Sequence, residues 1–451
     1  MPDVKQISPH AFALHLEDGR VYTLSNRGLD STDSLLWQVS EKNWERMPQQ
    51  VGAYRCVPYG WDNNLPCRLR DILDQNNLSP GVIRRQMGLI FGQGLHLYRT
   101  VFRGGEVIRE WTEDSEVKQW LDTWDVNRYI EDLLTDYLHL NGCVSLLPLQ
   151  RGSRLSGSAF ISCLEAVKMK NARLEWVDSG DVRDVRHILV GDFEHGCLKT
   201  GVTASPIFNP AHPLAHHISA MYCRTATFSR DFYALPSFWG TLRWIVRGSD
   251  IPSIFRYVTD NSLNMAYHIH SPQAYWDAKR ATIRAMHPDM GDKEIEHEIA
   301  KLTERFLQSL TTVLSGKENA GKFFHTTDVV DENGQPQTWK IEPIDQKIKE
   351  FVEAQLKIGE ASVSAITSGM GLHPSLSNIM VNGKLASGSE LLYAFKLFLL
   401  SDTEIPSNTV FQALNTAIAV NFPGKGLKAG FYHTKLQRDE ATSPQDRIIN
   451  Q

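Results

Sequence analysis

Two strongly periodic helical stretches joined by a hairpin signal set the main constraint on this chain. In DKEIEHEIAKLTERFLQSLTTVLSG, apolar residues recur at Ile295, Ile299, Leu302, Phe306, Leu310 and Val313. That is the three-and-four spacing of one helix face, and Gly316 stands where such a helix is capped. In DQKIKEFVEAQLKIGEASVSAITSG, the residues Ile348, Val352, Leu356, Val363 and Ile366 fall along one stripe. Between the two, KFFHTTDVV, DENGQPQ and TWKIEPI read as strand, turn and strand, with the turn at Asn333-Gly334. After the second helix come about twenty residues of Gly, Ser, Asn and Pro, and then ELLYAFKLFLL resumes a helix. A loop that long between strong helices is usually functional or mobile.

The rest of the chain is arranged around this core. RVYTLSN reads as a strand, and DSTDSLLWQVSEKNWERM as a helix with Ser/Asp caps. SPGVIRRQMGLIFGQGLHLYR places Pro80 at a helix start and glycines where a strand begins. VNRYIEDLLTDYLHLNGCVSLLPLQ reads as an amphipathic helix, a stop at Gly142 and a buried strand. From about 152 to 227 the pattern is short strands and turns, including FISCLEAV, ARLEWVD and DVRHILVGDF. DFYALPSFWGTLRWIVRGSDIPSIFRYVTDNSLN turns helical, with Phe238, Leu242, Ile245 and Val246 periodic and Pro252 arguing for a break. Pro406 interrupts the helices that follow, and the tail from Pro423 is polar and reads as poorly ordered. Together these signals predict a mixed α+β fold.

Composition excludes several functions. The chain has 451 residues, enough for roughly two to four compact units, with 42% apolar and 22% charged residues. A net charge of -5 is unlike a protein that grips nucleic acid by neutralising phosphates. The six cysteines (Cys56, Cys67, Cys143, Cys163, Cys197, Cys223) form no CxxC pair and read as reduced thiols. The N-terminus MPDVKQISPHAF carries no secretory pattern, and 391–400 is too short and too interrupted, by Lys396, to span a bilayer. No membrane association is expected.

The chemistry-bearing motifs are weak. SGKENAGKFF has four residues between Gly316 and Gly321, then Lys322, which is the outline of a phosphate-binding loop. Such a loop needs a strand before it and a helix after it, with Ser or Thr following the lysine; here the order is reversed and Phe323 takes that position. A helix cap leading into a strand is the simpler reading. In NPAHPLAHH, His212 and His216 are four apart, a spacing that suits zinc on a helix, with His217 beside them. Pro210 and Pro213 oppose a helix there, so a loop cluster is the simpler reading, and a metal-dependent hydrolase is the alternative. In MAYHIHSP, His268 and His270 share one face of a strand. Glu294 and Glu298 lie on a helix and read as a solvated face. No GxSxG elbow or catalytic cysteine context is present, so no catalytic residue and no cofactor are expected.

Taken in order, several stretches resemble the portal proteins of tailed double-stranded DNA bacteriophages. YGWDNNLPCRLRDILDQNNLSPGVIRRQMGLIFGQG looks like the early portal segment leading into the wing. YIEDLLTDYLHLNGCVSL is similar to the helix and strand that follow it. DFYALPSFWGTLRWI resembles the lead into the first stem helix, and GKENAGKFF the turn after the clip helix. IKEFVEAQLKIGEASVSAITSGMGLHPSL looks like the second stem helix with its proline exit, although the usual VPP reads LHPSL here. The likeness runs over about 55–420, and the β-rich middle shows no match.

This resemblance implies a portal-type fold: wing 1–235, first stem helix 236–263, clip 264–343 and second stem helix 344–368. It continues with a tunnel loop 369–388, a tunnel helix 389–403 and a short or disordered crown 404–451. It implies a homo-oligomeric ring, usually of twelve subunits, at one vertex of the virion capsid, assembled in the host cytoplasm. Double-stranded DNA would pass through the ring. The implied partners are the large terminase subunit, the major capsid and scaffold proteins and the head–tail adaptor. The loop 369–388 has no acidic residue and one cation, Lys384, so Asn378, Asn382 and Lys384 are its candidates for DNA contact. Tyr267, His268, His270, Glu294 and Glu298 are the clip candidates for docking the motor. Another oligomeric virion protein without a DNA channel is a further alternative.

Overall fold

The structure, a computed structural model, describes residues 3–8, 11–15, 21–25, 44–157, 159–195, 201–262, 267–270, 273–314, 329–330, 336–337, 340–343, 348–377 and 388–434. The chain divides into two compact units, Met1–Arg247 with Ser362–Gln451, and Gly248–Ala361. Both boundaries fall inside a long helix, Leu242–Ser262 and Ile348–Gly369. The elements are helices mixed with small antiparallel sheets, as the α+β expectation required.

The larger unit is built on the Val126–Leu140 helix. Its Tyr129, Ile130, Leu133, Leu134, Tyr137 and Leu140 are all buried and keep helical spacing. Asp125 caps the start by accepting from the Arg128 N–H at 3.0 Å. The predicted stop at Gly142 is displaced by one residue. Asn141 takes the left-handed conformation, with φ 52°, and ends the helix. Gly142 opens the strand Gly142–Pro148, where a Cβ would lie 2.8 Å from the Tyr222 ring. That strand pairs antiparallel with Ile218–Arg224, from Ile218↔Pro148 to Arg224↔Gly142, and with Glu165–Val167 on its other side. The β-rich stretch adds a second sheet, Ala172–Leu174, His187–Gly191 and Val202–Pro206.

Aromatic and polar groups lock the lead into the first long helix. Tyr59 and Tyr233 stack with ring centroids 4.3 Å apart, beside Trp44. The Tyr59 hydroxyl donates to the Ala234 carbonyl at 2.7 Å, and that of Tyr233 to the Val57 carbonyl at 2.8 Å. Arg173 is buried next to them, its guanidinium 4.6 Å from the Phe193 ring. Glu45, also buried, accepts from the Tyr233 N–H at 3.1 Å. Most of the helix expected around Trp44 lies outside the described residues, and Trp44–Arg46 itself is a single 3-10 turn.

Asp136 marks a pH dependence. Its carboxylate accepts from the Met169 N–H at 2.8 Å in a largely apolar setting. Burial, reinforced by Asp132, pushes its pKa up to about 7. A carboxyl with a raised folded pKa keeps its proton in the native state, so its charging cost is absent at pH 4 and complete above pH 7. Stability should therefore fall across that window by roughly 4 kcal/mol from this group. Asp136→Asn, which keeps an acceptor for Met169, should flatten the fall; melting temperatures of both proteins between pH 5 and 8 test this, and parallel curves would refute it.

Several expectations change in the C-terminal part. Pro406 sits in the first turn of the Glu404–Val410 helix, where its missing N–H costs nothing, rather than interrupting it. The polar tail is not loose up to residue 434. Lys428–Phe431 pairs with Leu95–Arg103, from Lys428↔Tyr98 to Phe431↔Leu95, and Phe431 is buried against Phe411. Lys425 is anchored to Asp114 and Glu116, so charge pairing and strand addition outweigh the local polarity. The cysteines Cys56, Cys67, Cys143, Cys163 and Cys223 are free thiols.

The smaller unit holds the Gln273–Met286 and Asp292–Leu314 helices, tied by Arg280 to Glu296 at 2.7 Å and by Arg284 to Asp292. Ile295 and Ile299 are buried as predicted, whereas Leu302 is exposed. The expected hairpin is rearranged. Val329–Val330 pairs with Pro336–Gln337, but Lys340–Pro343 pairs with Tyr267–His270, from His268↔Glu342 to His270↔Lys340. A non-local partner thus takes the strand that local turn chemistry assigned to its neighbour. The Leu242–Ser262 helix also runs through Pro252. The lost backbone bond is tolerated because packing, not the single rung, holds the helix: Ile251, next to Pro252, is buried.

Candidate functional site

The loop predicted to act, 369–388, is described only at its two ends, and Asn378, Asn382 and Lys384 lie outside the described residues. So does 315–324, the stretch with the phosphate-loop outline. The geometry of the ends is well defined. The Ile348–Gly369 helix finishes with the Met370 N–H on the Ile366 carbonyl at 2.9 Å, and Gly371 turns the chain at φ 70°. Met370, Leu372 and Leu376 are then buried. His373 starts a tight turn, its carbonyl accepting from the Leu376 N–H at 2.9 Å.

Three contacts fix this base. From the Ser79–Phe91 helix, Gln86 Nε2 donates to the Met370 carbonyl at 2.7 Å, and Arg85 Nε to the Leu376 carbonyl at 3.1 Å. The Ser375 hydroxyl donates to Glu390 Oε1 at 2.8 Å, joining the two sides of the loop. Behind them, Gly369 lies so close to Thr241 that a Cβ would sit 1.8 Å from its Oγ1. Thr241 closes the Trp239–Thr241 turn that starts the first long helix. Asn76 secures that start, its amide donating to the Ile245 carbonyl at 2.9 Å. The arrangement is a frame of hydrogen bonds that ties the described residues after the Ile348–Gly369 helix to the Ser79–Phe91 helix and to Glu390.

Only part of the predicted apolar stripe of the Ile348–Gly369 helix is the buried face, and Ile366 is the member of it that the fold covers. Leu356 and Val363 are 53% and 39% exposed, while Gln355, Ser362 and Ile366 are buried. The periodicity identified a helix correctly but could not tell which face the fold covers.

The other candidates are dispersed. Tyr267, His268 and His270 form a strand paired with Lys340–Pro343. The Glu294 carboxylate accepts from the Gly291 N–H at 3.2 Å, closing its own helix start. Lys301 donates to Glu298 at 2.8 Å, and this hydrogen bond holds the carboxyl below its usual range. His212, His216 and His217 are exposed on a turn in which the His212 N–H bonds the Asn209 carbonyl at 3.0 Å. Among the described residues, no group of three or more His, Cys, Asp or Glu is placed to hold a metal ion. Also among them, no helix is long and apolar enough to cross a membrane. Arg85, Gln86, Thr241 and Glu390 escaped the sequence reading because their contacts are non-local; only the GMG after the second helix signalled a turn at this place.

No family model matches this sequence, and no curated protein does. Solved structures do. A chain from the virion of a native gene transfer agent (GTA) particle superposes with a TM-score of 0.50 at 12% identity, covering 89% of this chain and 90% of that one. A chain from the neck of an empty GTA particle computed with C6 symmetry gives 0.49 at 13% identity, covering 88% and 89%. A chain from the neck of a native GTA particle computed with C12 symmetry gives 0.48 at 12% identity, covering 88% and 96%. Over nearly its whole length, this chain shares its fold with a component of a gene transfer agent virion.

Proposed function

We propose that this protein is a portal-type subunit: a member of a closed ring at one capsid vertex through which double-stranded DNA is packaged and ejected. The observation that carries this reading is the fold correspondence with a virion component across 89% of this chain and 90% of the other. The order of segments in the sequence supports it independently. The pinned loop fits the role. Its described ends are held by Arg85, Gln86 and the Ser375–Glu390 bond, which would keep both anchors in place beside a passing duplex. With one cation and no acid in 369–388, and a net charge of -5 overall, the protein would touch phosphates without gripping them, because strong binding needs many neutralised phosphates.

On this reading the protein performs no bond-making chemistry, and the ATP that drives packaging is hydrolysed by the large terminase docked on the 264–343 segment. The head–tail adaptor follows the motor on the same ring, and capsid and scaffold proteins surround it.

Negative-stain microscopy and native mass of the purified protein, alone and with capsid and scaffold proteins, test the proposal. The expected result is closed rings with a central hole, roughly twelve subunits each. Open filaments, or a monomer that enters no ring under either condition, would overturn it.

A further inference from the structure

The larger unit carries a group of large apolar side chains that are more than half exposed. On the Gly388–Ser401 helix, Ala394 and Phe398 face the core. The opposite face carries Tyr393, Leu397 and Leu400, 54%, 65% and 80% exposed, at i, i+4 and i+7. Ile405, 57% exposed, follows at the start of the next helix. Glu404 beside it pairs with Arg109, which ties this corner to the hairpin formed by Leu95–Arg103 and Glu106–Thr112. One face of that hairpin runs from Tyr98↔Trp111, through Thr100↔Arg109, to Phe102↔Val107 at the Gly104-Gly105 turn. Side chains alternate along a strand, so Phe102 and Val107, 79% and 62% exposed, share the face of the arginine that reaches Glu404. Helix face and hairpin tip therefore adjoin around one ion pair.

We propose that Tyr393, Leu397, Leu400, Ile405, Phe102 and Val107 form a docking surface for a second copy of this chain. The partner named here rests on the ring reading above, but the surface goes beyond it. At roughly 100–150 Å² for each exposed side chain, the group presents on the order of 700 Å². That exceeds the largest apolar patch of an ordinary monomer and approaches the roughly 800 Å² that one partner contributes to a stable interface. The edge is polar and balanced, with Lys396 and Arg109 against Asp402 and Glu404. An apolar centre inside a neutral rim suits a protein surface and offers nothing to a phosphate backbone.

Sedimentation velocity over a range of concentrations tests this with the full-length protein. The variants are Leu397→Ser with Leu400→Ser, Phe102→Ser with Val107→Ser, and a control, Phe228→Ser, at a site 96% exposed elsewhere. All replaced side chains are exposed, so thermal melts should match the wild type. Both patch variants should need at least tenfold more protein to assemble, and the control should behave as the wild type. Patch variants that assemble like the wild type, or a wild type that stays monomeric throughout, would overturn the proposal. Rings that survive the patch substitutions would sink this surface and leave the portal reading standing. Oligomers without a central hole that the substitutions dissolve would do the reverse.

Discussion

Gly369→Ala should lower the unfolding free energy by about 2–3 kcal/mol, the usual cost of overpacking a tight contact. The added Cβ would lie 1.8 Å from Thr241 Oγ1 and 2.9 Å from Thr241 Cβ. A rotation of the threonine relieves only the first of these, so the backbone must move as well. The movement falls where the end of the Ile348–Gly369 helix meets the turn that begins the other long helix. A double-mutant cycle with Thr241→Ala, read by denaturant unfolding, isolates the contact. A coupling above about 1 kcal/mol is expected. An equal cost of Gly369→Ala in both backgrounds would show that the contact is not the cause.

Arg173→Ala should be more damaging still, by about 3–5 kcal/mol. Arg173 is 1% exposed, and its guanidinium donates hydrogen bonds to uncharged oxygens. It donates to the Asn63 side chain and to the carbonyls of Asn63, Met169 and Ala172, at 2.5–3.0 Å. Burial holds its pKa below the usual arginine value, yet a guanidinium stays charged. Removing it strands several buried acceptors together. Arg173→Lys should recover only part of the loss, because an ammonium cannot reach this spread of acceptors from one point. A denaturation midpoint for Arg173→Ala within error of the wild type would contradict the role assigned to it.

Much of the fold was legible where local signals and tertiary packing agree. The Val126–Leu140 helix buried the face its periodicity predicted, and Pro80 marked the start of Ser79–Phe91. The signals failed where a distant segment decided the outcome. TWKIEPI carried a strand pattern, but nothing in it named Tyr267–His270 as its partner. GLKAGFYH was polar and glycine-containing by local measure, yet it completes the sheet of Leu95–Arg103 and covers a phenylalanine. The Gly- and Ser-rich composition of 369–388 was legible, whereas the frame of Arg85, Gln86, Thr241 and Glu390 around its described ends was not.

The sequence by itself determined many of the helices and strands, such as Val126–Leu140 and Gly142–Pro148, and the acid-free composition of 369–388. These depend on spacing and residue type within a few turns of chain. Only the tertiary structure decided which helix faces are covered, which strands pair, and what pins the loop. Those depend on contacts between residues up to 344 positions apart, as between Leu89 and His433. Periodicity marks an apolar stripe but not its neighbour: Ile366 found one within the fold, while Leu397 and Leu400 face outward.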